Sequence, residues 1–378
     1  MISLDAEKYR KKGFERAYFD EVYRYICERM KYKTPHAVGT GRVMKELAWC
    51  LKEYGLLTVL LSEEVQSKKF EDLNSEDFID IMKALVLADA GTLKEMYKIL
   101  REKKFAENFI KAKALVKADK DKKTKLEEPF KFLDYFAKNA YEGMLKLEVN
   151  VPQISEEKRE IPIMMVQGLD IRTCPYCNRV FIGSVKNKKL GVQLDHFYSK
   201  SNYPFFAVSL YNLIPCCSSC NMNKRDDDEK KLRSPFDKKY SFAEDVKFVF
   251  EEVQQGCEGG EEKKAWKVHF KMLSDDPEKN REYEANIDEF KLDAAYDFHF
   301  IEAKRFREKM LAYPPSLLRE MARNMSVTDE DGNIVEKIPA EALEMGLFQE
   351  YFCEPADYIK KPFAKFYRDL YFQYRGWE

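Results

Sequence analysis

Apolar residues recur at three- and four-residue spacing through most of the first 150 positions. The segments 43–54, 75–87, 92–100 and 130–145 each carry such a stripe with no internal proline, and Pro129 stands just ahead of the last. That pattern predicts amphipathic helices. Asn74-Ser75-Glu76-Asp77 reads as a helix start, with Ser75 as the cap and the acids in the first turn. After about residue 150 the period changes, and β-branched residues and turns take over. Residues 179–185 and 190–197 read as strands joined by Lys186-Asn187-Lys188-Lys189, residues 212–215 as a short apolar strand, and 218–228 as a polar helix. Alternation at 246–251 and 266–272 predicts a hairpin with its tip at the Gly-rich stretch 256–262. Residues 287–311 read as one long or kinked helix ending before Pro314-Pro315, and 316–378 as mainly helical with a turn at 329–333. There is no internal repeat.

This order predicts an α+β chain in three parts. A helical region spans 1–150, a central block 151–235, and a mainly helical region with a β-hairpin 236–378. A length of 378 residues, 45% of them hydrophobic, suffices for two or three cores and so for more than one domain. The 65 Lys and Arg nearly balance the 66 Asp and Glu, so net charge neither supports nor excludes a nucleic-acid partner. Locally the balance shifts: residues 94–125 hold 12 basic side chains against 5 acidic ones. Such a stretch can hug phosphates, or it can be a solvated helix face running into the linker 117–123. The opening residues have no apolar signal core, and apolar runs such as 56–61 fall short of a bilayer span. A cytoplasmic protein without a membrane segment is expected.

Five of the nine cysteines lie between positions 174 and 220. Cys174-Pro-Tyr-Cys177 and Cys217-Ser-Ser-Cys220 supply four thiolates at knuckle spacing, the set a closed structural zinc site needs. Cys216 competes with Cys217, but Cys217 keeps the spacing, which leaves Cys216 as a small core residue. Cys27, Cys50, Cys257 and Cys353 are scattered, so a disulfide framework does not fit.

Inside this staple lie Asp195-His196, Asn212 and Cys220-Asn221-Met222-Asn223-Lys224. Hydrolysis of a phosphodiester needs a base for water and a cation for the charge building on the phosphate. Neutral imidazole suits the first task, and carboxylate and amide oxygens suit a hard ion such as Mg²⁺ or Mn²⁺. On a regular strand Asp195 and His196 point to opposite faces. His36, His269 and His299 read as structural, and most of the 27 Phe and 22 Tyr as core, although Tyr198 and Tyr203 stand close enough in sequence to touch substrate.

The block from Cys174 to Lys224 resembles the HNH endonucleases, the ββα-metal nucleases, in their four-cysteine zinc form. The resemblance implies that His196 is the general base and that Asp195 and Asn221 hold the catalytic Mg²⁺ or Mn²⁺. It implies that Asn212 braces the loop aiming His196, that Lys224 contacts phosphate, and that Cys174, Cys177, Cys217 and Cys220 bind structural Zn²⁺. Asn221 stands where the family name implies a last histidine, with Asn223 as its rival. Residues 197–204, 290–299 and 361–370 look like longer HNH proteins of prokaryotic anti-phage defence, including a Septu-type nuclease subunit that works with an ATPase. DNA and an ATPase subunit are therefore the implied partners, and oligomerisation is left open. Two other classes stand beside this one: a zinc-stapled nucleic-acid-binding or scaffold module that does not cleave, and an RNA-directed nuclease.

Overall fold

The apolar stripes of the first 150 residues become helices that bury them. Arg42–Glu53, Ser75–Val86, Ala90–Glu102 and Phe130–Met144 match the four expected segments, and Phe14–Arg24 and Phe105–Ala118 join them. The cap of the second is Asn74 and not Ser75. Its side chain accepts the Asp77 N–H at 2.9 Å while the Asp77 carboxylate accepts the Asn74 N–H at 2.9 Å. The expectation missed by one residue because Asn and Ser are equally good caps, and only Asn74 has an acid three positions on to close the box. The computed structural model describes the whole chain except residues 35, 37, 38, 40, 120–123, 186–187, 225–230, 257–261, 329, 332, 349–353 and 377–378.

In the centre, the short strands Gly183–Val185 and Lys188–Leu190 pair with each other. Gly191, at φ +60°, then turns the chain into the strand Gln193–His196. The expected strand 190–197 is thus split in two at a backbone conformation that favours glycine. Gln193–His196 pairs antiparallel with Leu213–Cys216, and the helix Ser218–Asn223 follows directly. Asn212 closes a 3-10 turn, Leu210–Asn212, just ahead of the second strand instead of lying on it. The far end of the expected helix, 225–228, and half of the 186–189 turn lie outside the described residues.

Farther on, Val246–Gly256 and Glu262–Met272 form a long antiparallel hairpin; most of its expected Gly-rich tip, with Cys257, is outside the described residues. The stretch expected to be one helix is three: Pro277–Glu289, Leu292–Asp297 and Phe300–Ala312. Lys291 at φ 53° breaks the first junction and His299 the second, changes that apolar spacing alone does not register. A small hairpin, Ser326–Thr328 with Ile334–Lys337, brackets the expected turn near 329–333, part of which is undescribed. The end of the 117–123 linker and Cys353 also fall outside. The fold is α+β, with small antiparallel hairpins among many helices.

One buried cluster runs from Met1 to Ala364 and crosses positions 150 and 235 without a break. A second packs the long hairpin, through Phe248, Phe250 and Val268, against Tyr296, Phe306, Phe366 and Leu370. No helix among the described residues is long and apolar enough to cross a membrane.

Candidate metal centre and hydrolytic site

The first knuckle is a tight turn. The Asn178 N–H donates to the Cys174 carbonyl at 2.7 Å, and Asn178 itself sits at φ 51°. Its amide nitrogen donates to Thr173 Oγ1 (3.0 Å) and to the carbonyls of Tyr358 (2.6 Å) and Lys361 (3.2 Å), so the C-terminal segment holds the knuckle from outside. The second knuckle comes from the strand end and the first turn of Ser218–Asn223, with Cys217 in the capping position. The sulfurs of Cys174, Cys177, Cys217 and Cys220 lie within 4.8 Å of one another, all buried, with Cys177 and Cys217 at 4.0 Å. Zn–S bonds of about 2.3 Å in a tetrahedron place sulfurs roughly 3.8 Å apart. The donor set and spacing therefore fit a metal ion such as zinc. Cys216 is outside the cluster and buried, and desolvation pushes its thiol up, as suits an inert core residue.

Asp195 and His196 end the first strand of the pair and face opposite ways. The Tyr176 hydroxyl donates to Asp195 Oδ2 at 2.6 Å, and Lys224 Nζ donates to Asp195 Oδ1 at 3.3 Å and to the His196 carbonyl at 2.7 Å. Tyr176 is the third residue of the first knuckle and stacks on Phe290 at 4.0 Å. The cysteine cluster and the carboxylate are therefore joined through one phenol. Lys224 points inward, with only 5% of its side chain exposed, so contact with a phosphate would need its ammonium to leave Asp195. Asn221 donates through Nδ2 to Gln193 Oε1 at 2.8 Å. Gln193 and Asp195 share one face of the strand, so Asn221 lies on the Asp195 side. Asn223 instead lines a hollow beside Cys177, Cys217 and Cys220.

On the other face, His196 Nε2 lies 3.0 Å from the Ala207 carbonyl. A carbonyl only accepts, so Nε2 carries the proton and Nδ1 is the basic nitrogen. The edge of Tyr141, from the Phe130–Met144 helix, closes on the imidazole at 4.4 Å and 65°. Ala207 belongs to the loop 197–212, which Asn212 stitches together. Asn212 accepts the Tyr198 N–H at 2.8 Å and donates to the carbonyls of Tyr198 and Phe206 at 3.0 and 3.1 Å. The N-terminal helices clasp the same loop. Tyr18 Oη donates to the Val208 carbonyl (2.8 Å), Ser209 Oγ donates to the Leu85 carbonyl (2.9 Å), and Tyr97 stacks on Tyr198 at 4.6 Å. Tyr203 is buried in this aromatic packing.

Burial, then the charge of Lys200, pushes the His196 imidazolium down to about 3, and the bond to Ala207 opposes this only in part. The ring is neutral and proton-accepting at ordinary pH. In the unfolded chain it titrates near about 6.5. Between these values the unfolded state binds the extra proton, so this term is fully present above 6.5 and is lost as pH falls toward 3. Urea midpoints for wild type and His196→Gln should converge as pH drops from 7 to 4. Parallel curves would mean that the ring is not held neutral.

The remaining histidines have structural partners. His36 pairs with buried Glu46 at 2.8 Å and stacks on Trp49, His269 pairs with Glu251 at 2.8 Å, and His299 accepts from Arg179 at 3.2 Å. Sequence reasoning missed Tyr176, Tyr141, Gln193 and Ala207. The knuckle motif marks the position of Tyr176, but nothing in the spacing signals Tyr141, which arrives from a helix more than fifty residues upstream.

No protein-family model matches the chain, and no solved structure matches it. The chain is similar to protein ea31 of Escherichia phage lambda, with 40% identity over 52 residues. That stretch is 14% of this chain and spans 15% of the phage protein's length.

Proposed function

We propose that this chain is a metal-dependent HNH endonuclease that hydrolyses DNA phosphodiester bonds, with prokaryotic anti-phage defence as its setting and an ATPase as its partner subunit. The observation carrying this reading is the 3.0 Å contact between His196 Nε2 and the Ala207 carbonyl. The Nε2–H donates to that carbonyl, which leaves Nδ1 as the basic nitrogen, with no donor on it among the described residues. Nδ1 takes a proton from water, the water oxygen bonds to phosphorus, the P–O bond to the leaving sugar oxygen breaks, and that oxygen takes a proton from solvent. Asp195 and Asn221 offer a carboxylate and an amide oxygen on one face, a donor set that suits Mg²⁺ or Mn²⁺. Such an ion would neutralise the charge developing on the phosphate. Zinc in the cysteine cluster would be structural, since four thiolates leave no open position.

The test is cleavage of supercoiled plasmid, and of single-stranded DNA and RNA, with Mg²⁺ or Mn²⁺ against EDTA. Nicking or linearisation that EDTA abolishes supports the reading. RNA cut in preference to DNA moves the substrate class, and no cutting, with or without a candidate ATPase, leaves a binding module. Tyr176→Phe keeps the ring on Phe290 and removes only the hydroxyl bond to Asp195. It should raise the Mg²⁺ concentration for half-maximal cleavage by about 10-fold, as loss of an outer partner of a metal ligand does, with zinc content unchanged. An unchanged Mg²⁺ requirement would detach Tyr176 from the site.

A further inference from the structure

Lys200 lies four residues beyond His196, on the braced loop, and its neighbours are unusual for a lysine. Its Nζ stands 3.6 Å from the centroid of the Tyr141 ring, the same ring whose edge meets His196 at 4.4 Å. Tyr141 is itself fixed, its hydroxyl donating to the Leu194 carbonyl at 3.4 Å. The ammonium is half-buried, and among the described residues no carboxylate pairs with it and no acceptor takes its protons. Desolvation lowers its proton affinity, and Glu142 is the acid that opposes this. A desolvated cation without a paired anion is destabilising, and an aromatic face only partly offsets this. An arrangement of this kind is completed by an anion arriving from outside. Next to Lys200, Ser201 and Asn202 line a surface groove with Lys113 and Lys117 of the Phe105–Ala118 helix, alongside the apolar Ile110, Val116 and Leu126. Lys113 is already paired there with Asp134 at 2.6 Å, whereas Lys200 shares the Tyr141 ring with His196.

We propose that Lys200 donates a hydrogen bond to a non-bridging oxygen of the scissile phosphate, with Tyr141 as the platform that fixes its ammonium beside His196. This rests on the nuclease reading above. The lysine transfers no proton; it meets the charge that grows on phosphate oxygen as the water oxygen bonds. Tyr141 thereby ties the helical N-terminal region to the chemistry.

Lys200→Met keeps the stem on the ring and removes the charge. It should lower kcat about 100-fold, the usual loss when one preorganised donor to a developing oxyanion is removed. KM, and the affinity of the His196→Ala background for uncut duplex in EDTA, should change no more than about 3-fold. Lys200→Arg should recover part of the rate. The thermal midpoint of Lys200→Met should hold or rise, because an uncompensated cation leaves the site. Wild-type kcat in Lys200→Met, a loss confined to KM, or a lowered midpoint that accounts for the lost activity would each overturn the proposal. Failure of the nuclease reading shows differently, as wild type that leaves every substrate intact.

Discussion

His196→Ala should lose plasmid cleavage by at least about 100-fold, and up to about 10,000-fold, the range that general-base catalysis contributes. The loss should fall on kcat, because the imidazole acts on water and not on substrate affinity. Zinc content and helical content should stay at wild-type levels. Among the described residues the ring bonds the Ala207 carbonyl alone, and the loop bearing that carbonyl keeps its Asn212, Tyr18 and Ser209 bonds. Cleavage at the wild-type rate would remove His196 as the base and leave the strand pair without a proton acceptor on that face.

The second large effect lies in the cysteines. Cys177→Ser or Cys220→Ser should take bound zinc, measured by mass spectrometry, from about one ion per chain to near zero, since a three-thiolate remnant holds the ion weakly. The thermal midpoint should fall by about 10 °C or more. Structural zinc contributes on the order of 10 kcal/mol to isolated zinc modules, and each kcal/mol moves a chain of this size by about 2–4 °C or less. Activity should vanish with the metal, because Tyr176 sits between two of the ligands and holds Asp195. A cysteine variant with the wild-type midpoint would end the structural role of the metal. His196→Ala and Cys220→Ser thus form a pair: one is expected to keep its zinc and lose rate, the other to lose both.

Much of the site was legible because its chemistry is local in sequence. Each CxxC spacing reflects one turn, so the grouping of Cys174, Cys177, Cys217 and Cys220, and the exclusion of Cys216, could be read before any fold was known. The opposite facing of Asp195 and His196 follows from strand pleating alone. Contacts made over long separations were hidden: Tyr141 on His196, Tyr18 on Val208, Asn178 on Tyr358. Their sequence signal is a single aromatic or amide in an ordinary helix or turn, with no period to mark it. The helix breaks at Lys291 and His299 escaped for another reason. Lys291 sits in the left-handed region and His299 leaves the helical region at φ -95° and ψ 28°; both are set by packing around them, and apolar spacing continues across each break as though nothing had happened.

The loop that meets His196 is tied to Leu85 and Tyr18, while the turn that presents Cys174 and Cys177 is tied to Tyr358 and Lys361. The strand-strand-helix unit is therefore not a cassette. Cut out at its sequence borders, it would leave behind the hydrogen-bond partners of both its base loop and its cysteine turn. Recombination that exchanged either flank would remove the partners of the His196 loop or of the cysteine turn. In such an architecture the flanks and the strand-strand-helix unit must be inherited together.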